Sequence, residues 1–407
     1  MSKNLENESS ARSDAPATEE PKSQSENTKA PESSADVKAP ANAKVNAMSQ
    51  TDSMQTSSGD KDSDSDKEAG VLYVGVDLGT SRTSISASNG VRETVASVVG
   101  YPKDVVSRKL LKKEVLVGQE ALERRLSLNM YRPLEHGVLK TAEDGSQDQN
   151  AKAAADLLKA AIGLARARKD ELVYAVIGAP AQASIHSKNA ILKAARECVD
   201  SVMLCSEPFA VAYGLDMLED VLVIDIGAGT TDLCRMHGTM PEESDQITLT
   251  YAGDFLDKEL YKALETSCTG ASFTIGMIKE IKEKYAYVSG GSDPILVELP
   301  VEGKPVQFDI TKEVLESCRK IIPPIVDSLG QLIASFDPEF QHRLRNRVLL
   351  AGGGSMIRGL DRAIEDHMKV KLGGGRVLRI EEPMYGGANG ALKIAHDMPA
   401  EYWEQLR

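Results

Sequence analysis

Asp225-Ile-Gly-Ala-Gly-Thr-Thr-Asp232 is the stretch on which the fold turns. It ends the apolar, β-branched run from Asp220 to Ile226, which reads as a buried strand, in a glycine-rich turn bearing hydroxyls. Glycine lets backbone N–H groups approach an anion with no Cβ in the way, and the hydroxyls add donors, so the turn can hold phosphate oxygens. A strand-end carboxylate is tolerated among phosphates when a cation lies between them, and Mg²⁺ keeping most of its water shell meets that need. For one such motif alone, the competing reading is a tight hairpin with an Asx turn.

The pattern occurs twice. Val71-Leu-Tyr-Val-Gly-Val-Asp77 is another short apolar run, and Asp77-Leu-Gly-Thr-Ser81 ends it in the same way. Two such hairpins, about 150 residues apart, suit two lobes gripping one phosphate chain from opposite sides.

Outward from these turns, strand-like runs around Ser84 to Ala87 and Thr94 to Val99 predict an antiparallel meander after the first. Helical spacing from about Leu157 to Arg168 precedes a strand at Leu172 to Ile177 and a helix at Ser187 to Cys198. Later, the strand Arg347 to Leu350 runs into Ala351-Gly-Gly-Gly354. Two sheets bearing helices, each opened by a strand and a glycine turn, predict an internally duplicated α/β architecture.

Composition narrows the function. At 407 residues the chain exceeds one compact core and is expected to split into lobes with a cleft. A formal charge of −13 argues against a surface built to neutralise nucleic-acid phosphates or anionic lipid. Cys198, Cys205, Cys234, Cys268 and Cys318 have no metal or disulfide spacing and read as reduced thiols of a cytosolic protein. No apolar run approaches the ~20 residues of a membrane span, and no signal peptide is evident. Residues 1–70 hold no aromatic side chain and carry fourteen acidic against eight basic residues. They are expected to form a disordered acidic and polar tail, since they cannot bury enough apolar surface to offset their ordering entropy.

The order Asp77-Leu-Gly-Thr, Glu207-Pro-Phe-Ala-Val-Ala-Tyr-Gly-Leu, Asp225 to Asp232 and Ala351-Gly-Gly-Gly-Ser355 resembles the motif pattern of the actin, heat-shock chaperone and sugar kinase superfamily. The resemblance covers nearly everything after residue 70. It implies an actin-like fold of two duplicated lobes with ribonuclease H-like sheets around a nucleotide cleft. The lobes would be 71–218, with a small insertion about 103–150, and 219–407, with a small insertion about 256–335.

The same resemblance implies ATP and Mg²⁺ as cofactors. Asp77, Gly79, Thr80 and Ser81 would form one phosphate loop, and Gly227, Ala228, Gly229, Thr230 and Thr231 the other. Gly352, Gly353, Gly354 and Ser355 match the adenosine motif, and Asp77 and Asp225 would organise the metal through water. Glu207 stands where bacterial actins carry the acidic residue that orients the attacking water, which makes Glu207 and Asp225 the catalytic candidates. By itself Glu207-Pro208 is also what a helix start favours. Ile281-Lys-Glu-Lys-Tyr-Ala-Tyr-Val288 is similar to the actin segment bordering adenine and ribose, so Lys282 and Glu283 are nucleoside candidates; a solvated helix face of alternating charge is the other reading.

The folded part, roughly 337 residues, has the size of a bare bacterial actin core. Val98-Val-Gly-Tyr-Pro-Lys-Asp-Val105, Val176-Ile-Gly-Ala-Pro-Ala181, Ser206-Glu-Pro-Phe209 and Pro399-Ala-Glu-Tyr-Trp-Glu-Gln-Leu406 resemble the magnetosome branch of the bacterial actins. That implies a cytoplasmic, ATP-hydrolysing cytoskeletal filament that self-associates, arranges magnetosomes in a chain through adaptor proteins and positions the chain. Direct nucleic-acid binding and membrane insertion are not expected. Other bacterial actins, for plasmid segregation or cell shape, and a non-polymerising ATPase switch are the alternatives.

Overall fold

The computed structural model describes residues 70–140, 149–291 and 293–406. The tail expected over 1–70 lies outside the described residues except for Gly70, which opens the first strand.

β1 (Gly70–Leu78) is buried on both faces, which is why Val74-Gly-Val-Asp-Leu78 does not alternate. It pairs antiparallel with β2 (Arg82–Ala87), and β2 with β3 (Arg92–Ala96), giving the expected meander. The run expected from Thr94 to Val99 is broken at Ser97, whose hydroxyl donates to the Gly79 carbonyl at 2.6 Å. Beyond it, β4 (Val99–Pro102) leaves the sheet and pairs with β5 (Leu116–Val117) and β6 (Leu128–Tyr131), which enclose α1 (Val105–Leu111) and α2 (Gln119–Glu123). A tight hairpin follows, β7 (Leu134–Glu135) with β8 (Val138–Leu139).

α3 (Gln149–Gly163) begins earlier and stops sooner than its expected span, because Ala153, Ala154, Leu157, Leu158, Ala161 and Ile162 make one buried face. Arg166, with φ of 56°, stands outside it. β9 (Glu171–Ala179), α4 (Ile185–Ala195), capped by Ser184, and β10 (Ser201–Ser206) complete the first half. Its sheet has the order β10-β9-β1-β2-β3, with β1, β9 and β10 parallel. α5 (Glu207–Gly214) leads to the second half.

There β11 (Val221–Ile226), β12 (Thr231–Met236) and β13 (Gln246–Leu249) form a second meander. α6 (Gly253–Ser267), α7 (Ile275–Tyr285), the hairpin β14 (Leu296–Val301) and β15 (Lys304–Asp309), α8 (Thr311–Arg319), α9 (Ile322–Ala334) and α10 (Pro338–Arg345) come next. β16 (Val348–Ala351), α11 (Leu360–Leu372) and β17 (Val377–Arg379) close the sheet as β13-β12-β11-β16-β17, with β11, β16 and β17 parallel. Each sheet is thus an antiparallel meander continued by two parallel strands, which is the duplication expected from the paired turns.

α12 (Gly386–Asp397) and α13 (Ala400–Gln405) return to the first sheet: α12 packs on β1, β2 and β9 and against α5. The division drawn at residue 219 is therefore crossed by the C terminus. Small residues permit the crossing. A Cβ on Gly390 would lie 1.7 Å from the Ala210 carbonyl oxygen, and one on Gly75 would lie 2.1 Å from that of Ala388. One core of Val176, Phe209, Val211, Val223, Leu349, Ala391 and Trp403 then joins both halves. At the edge of the second sheet, the Gln182 side-chain amide donates to the Gln246 carbonyl at 3.0 Å and accepts from Thr248 N at 3.3 Å. No helix among the described residues is long and apolar enough to cross a membrane.

Gly390→Ala is expected to destabilise the protein by about 3 kcal/mol or more, because backbone rather than a flexible side chain occupies the space. Gly163→Ala, at the end of α3 with nothing within 4 Å, should instead stabilise by about 0.4–1 kcal/mol. Calorimetric melting of both variants checks the pair; equal melting temperatures would contradict the tight crossing.

Candidate functional site

Antiparallel register fixes the two turns. β1 and β2 pair down to Leu78 opposite Thr83, leaving Gly79, Thr80 and Ser81 as the turn, and β11 and β12 pair down to Ile226 opposite Thr231, leaving Gly227 to Thr230. The two turns touch: a Cβ on Gly229 would lie 2.4 Å from Thr80 Oγ1. The β7–β8 hairpin pins them together, with Gly137 N donating to Thr80 Oγ1 at 2.8 Å and His136 Nδ1 3.0 Å from the Gly229 carbonyl. His136 adopts φ of 50° to do so. The sequence reading missed this hairpin; its Glu-His-Gly turn was the available signal.

Behind the turns lies a cavity of about 460 Å³, in the range of ligand pockets. Asp77, Gly79, Thr80, Ser81, Glu207, Asp225, Gly227, Ala228, Gly229, Thr230, Lys282, Glu283, Gly352, Gly353 and Gly354 all line it. Two expected residues do not. Thr231 is buried within β12 and donates to the Tyr251 carbonyl at 2.7 Å, and the Ser355 hydroxyl donates to the Gly352 carbonyl at 2.7 Å. Both shape the backbone of the turns. Gly352, with φ of 75°, passes so close to β11 that a Cβ would lie 2.3 Å from Asp225 Oδ1, and one on Gly354 would lie 2.1 Å from Ile226 Cγ2. The glycines of this segment are therefore required by close approach.

Lys282 is committed more firmly than expected. Its ammonium lies 2.7 Å from Asp257 Oδ1 and donates to the Gly253 carbonyl at 2.7 Å, which ties α7 to the start of α6. Glu283 pairs with Arg82 at 2.9 Å, a partner absent from the sequence reading.

The electrostatics are dominated by carboxylates. Asp77 ends β1, Asp225 lies in β11 opposite Asp232 of β12, and Glu207 opens α5. Burial holds the Asp77 carboxyl up at about 6. Glu207 is raised well above the ordinary range by burial and then by the charges of Asp77, Asp232 and Asp225. Asp225 is raised by burial, with Asp77 and Asp232 adding to it. Asp232 is also raised by burial, although it accepts from Thr248 Oγ1 at 2.5 Å and from Ala181 N at 3.1 Å. Its other oxygen, Oδ2, is buried with no hydrogen-bond partner within ordinary distance among the described residues, although the nearby Thr230 hydroxyl works against the shift. Asp232 was quoted in the motif but not counted among the site residues.

Buried carboxylates that repel one another form a natural seat for a cation, and glycine turns aimed at the same cavity form a seat for an anion. A hydrated magnesium nucleotide supplies both. Among the described residues no three acidic, histidine or cysteine side chains converge closely enough to chelate a metal directly.

The comparisons with known proteins agree with this geometry. The family model described as MreB/Mbl protein matches residues 72–401. The actin-like protein MamK of Paramagnetospirillum magneticum is 38% identical over 335 residues, spanning 82% of this chain and 95% of the relative. MamK of Magnetospirillum gryphiswaldense is 39% identical, spanning 82% and 92%. Among solved structures, a MamK double helical filament superimposes with a TM-score of 0.78 at 38% identity, covering 81% of this chain and all of that one. A non-polymerising MamK mutant bound to AMPPNP gives a TM-score of 0.63 at 38% identity, with the same coverage. With sheets, paired turns and relatives in agreement, the chain belongs to the MreB/Mbl family of actin-like proteins.

Proposed function

We propose that this protein is an ATP-hydrolysing cytoskeletal protein that assembles into filaments, arranges magnetosomes in a chain and positions that chain. One observation carries the nucleotide part: two Asp-x-Gly hairpins from separate sheets meet over a single cavity lined by the carboxylates of Asp77, Glu207 and Asp225. The filament part draws on relatives described as MamK and on a MamK filament of the same fold.

The residues divide the work. Backbone N–H groups of Gly79 to Ser81 and of Ala228 to Thr230 hold the phosphates, with Gly227 N closing its turn on the Thr230 carbonyl, and Gly352 to Gly354 let the backbone lie against the purine. Lys282 fixes the α6–α7 wall beside the nucleoside, and Glu283 stands at its ribose end. Mg²⁺, seated through water on Asp77 and Asp225, would neutralise charge on the phosphates. Glu207 aligns the attacking water and accepts its proton as ADP and phosphate form. A ligand touching both hairpins favours the closed arrangement of the halves, and head-to-tail contacts between closed copies generate an open filament. Hydrolysis removes the γ-phosphate from between the hairpins and loosens the polymer. Adaptor proteins would link the filament, in the cytoplasm, to magnetosomes.

Glu207→Ala should bind Mg-ATP and polymerise but release phosphate at least about 100-fold more slowly and disassemble slowly. Phosphate release and sedimentation measure this, and release at the wild-type rate would rule out the catalytic role. Asp225→Ala should abolish Mg-dependent hydrolysis. Electron microscopy with and without Mg-ATP tests assembly, and absence of filaments in both would leave the non-polymerising switch.

The same carboxylates predict a pH dependence of stability. A carboxyl whose proton is held more tightly in the folded chain contributes stability below its ordinary value, 3.8 for Asp77, and loses it as pH rises through about 6. Free of nucleotide and metal, the protein should therefore melt lower at about pH 7.5 than at about pH 5. Glu207→Gln should narrow the gap and Mg-ATP should close most of it. A melting temperature rising across that interval would contradict the cluster.

A further inference from the structure

Arg82 begins β2 beside the first phosphate turn, and Glu283 sits on α7 in the other half of the molecule. They pair at 2.9 Å across the cavity. One turn earlier on α7, Lys279 donates to Ser81 Oγ of the same phosphate turn and lies 4.0 Å from Glu283 Oε1. All four residues line the cavity, yet the Arg82 and Glu283 side chains remain 44% and 40% exposed, which puts them on its rim, whereas Lys279 at 21% lies deeper.

We propose that the Arg82–Glu283 pair, supported by Lys279 on Ser81, is a clasp between the halves that sets the rate at which nucleotide enters and leaves. This rests on the nucleotide reading above. Deeper between the halves, His136 on the Gly229 carbonyl and Ala181 N on Asp232 are single hydrogen bonds at part-buried positions, and α5 and α12 share a core with both sheets, while the other exposed ion pair, Arg92–Glu382, lies away from α7. An opening motion about those deeper contacts separates α7 from β2 at the rim first. An exposed ion pair is weak enough to break thermally, as a gate requires, and is screened by salt. Glu283 therefore acts on passage of the ligand through its charge, beyond any contact it makes with the ribose.

The test uses the full chain and Mg-etheno-ADP, whose label leaves ribose and phosphates unmodified. Both side chains are exposed, so the variants fold. Stopped-flow entry and chase-driven release should each become roughly threefold to tenfold faster in Arg82→Met, with Kd changed by less than about twofold, and Glu283→Gln should likewise quicken entry as well as release. Wild-type release should quicken between about 50 mM and about 500 mM salt, while release from either variant stays level. The charge-exchanged Arg82→Glu/Glu283→Arg protein should be slow again. Faster release with unchanged entry, and hence a weaker Kd, would make these residues ligand contacts and overturn the clasp, as would rates equal to wild type. Failure of the wild type to bind the probe would refute the nucleotide reading itself, whereas normal binding with unaltered variant rates refutes only the clasp.

Discussion

Repulsion among Asp77, Glu207, Asp225 and Asp232 is the constraint around which this molecule is built. Each carboxylate is carried by a different element, and none can move away, because β1, β11, β12 and α5 are buried parts of the core. The fold therefore holds its acidic groups together at the expense of its own stability, as sites built for a charged ligand commonly do. The surrounding turns contribute the complementary feature, backbone donors with no side chain in front of them.

What keeps the two halves in register is geometric. α5 and α12 cross at Ala210 and Gly390 with no room for a methyl group, and α12 lies against Gly75 of β1 just as closely. Such a crossing transmits displacement, since close-packed interiors respond to strain by shifting as units. Loss of contact at the phosphate turns is thereby coupled to the angle between the sheets, and the β7–β8 hairpin, touching both turns at once, reports on their separation.

Much of this was legible from residue types alone. Asp-x-Gly runs after apolar strands announced both turns, because that feature is local, whereas the Gly352 to Gly354 run was matched to an adenosine motif and its close approach to β11 was not foreseen. The features missed are those in which distant residues meet. Arg82 meets Glu283 across 201 positions, and neither residue is unusual on its own strand or helix. The return of α12 to the first sheet depends on Gly386, Gly387 and Gly390, whose small size was visible but whose partners, Asp77, Val211 and Ala210, were not. α3 began earlier than its apolar spacing indicated because alanines supply part of its buried face. Thr231 and Ser355 belonged to the motifs but turned inward, since a hydroxyl beside a sharp turn finds a backbone carbonyl nearer than a ligand.

Gln182 carries a consequence of its own. β13 is the outermost strand of its sheet, and its unpaired amide and carbonyl face the glutamine side chain, which satisfies one of each as a neighbouring strand would. The first half of the molecule thus shields a sticky margin of the second. Whenever the halves part, that margin is uncovered and becomes competent for strand addition, so time spent open is also time at risk of aggregation.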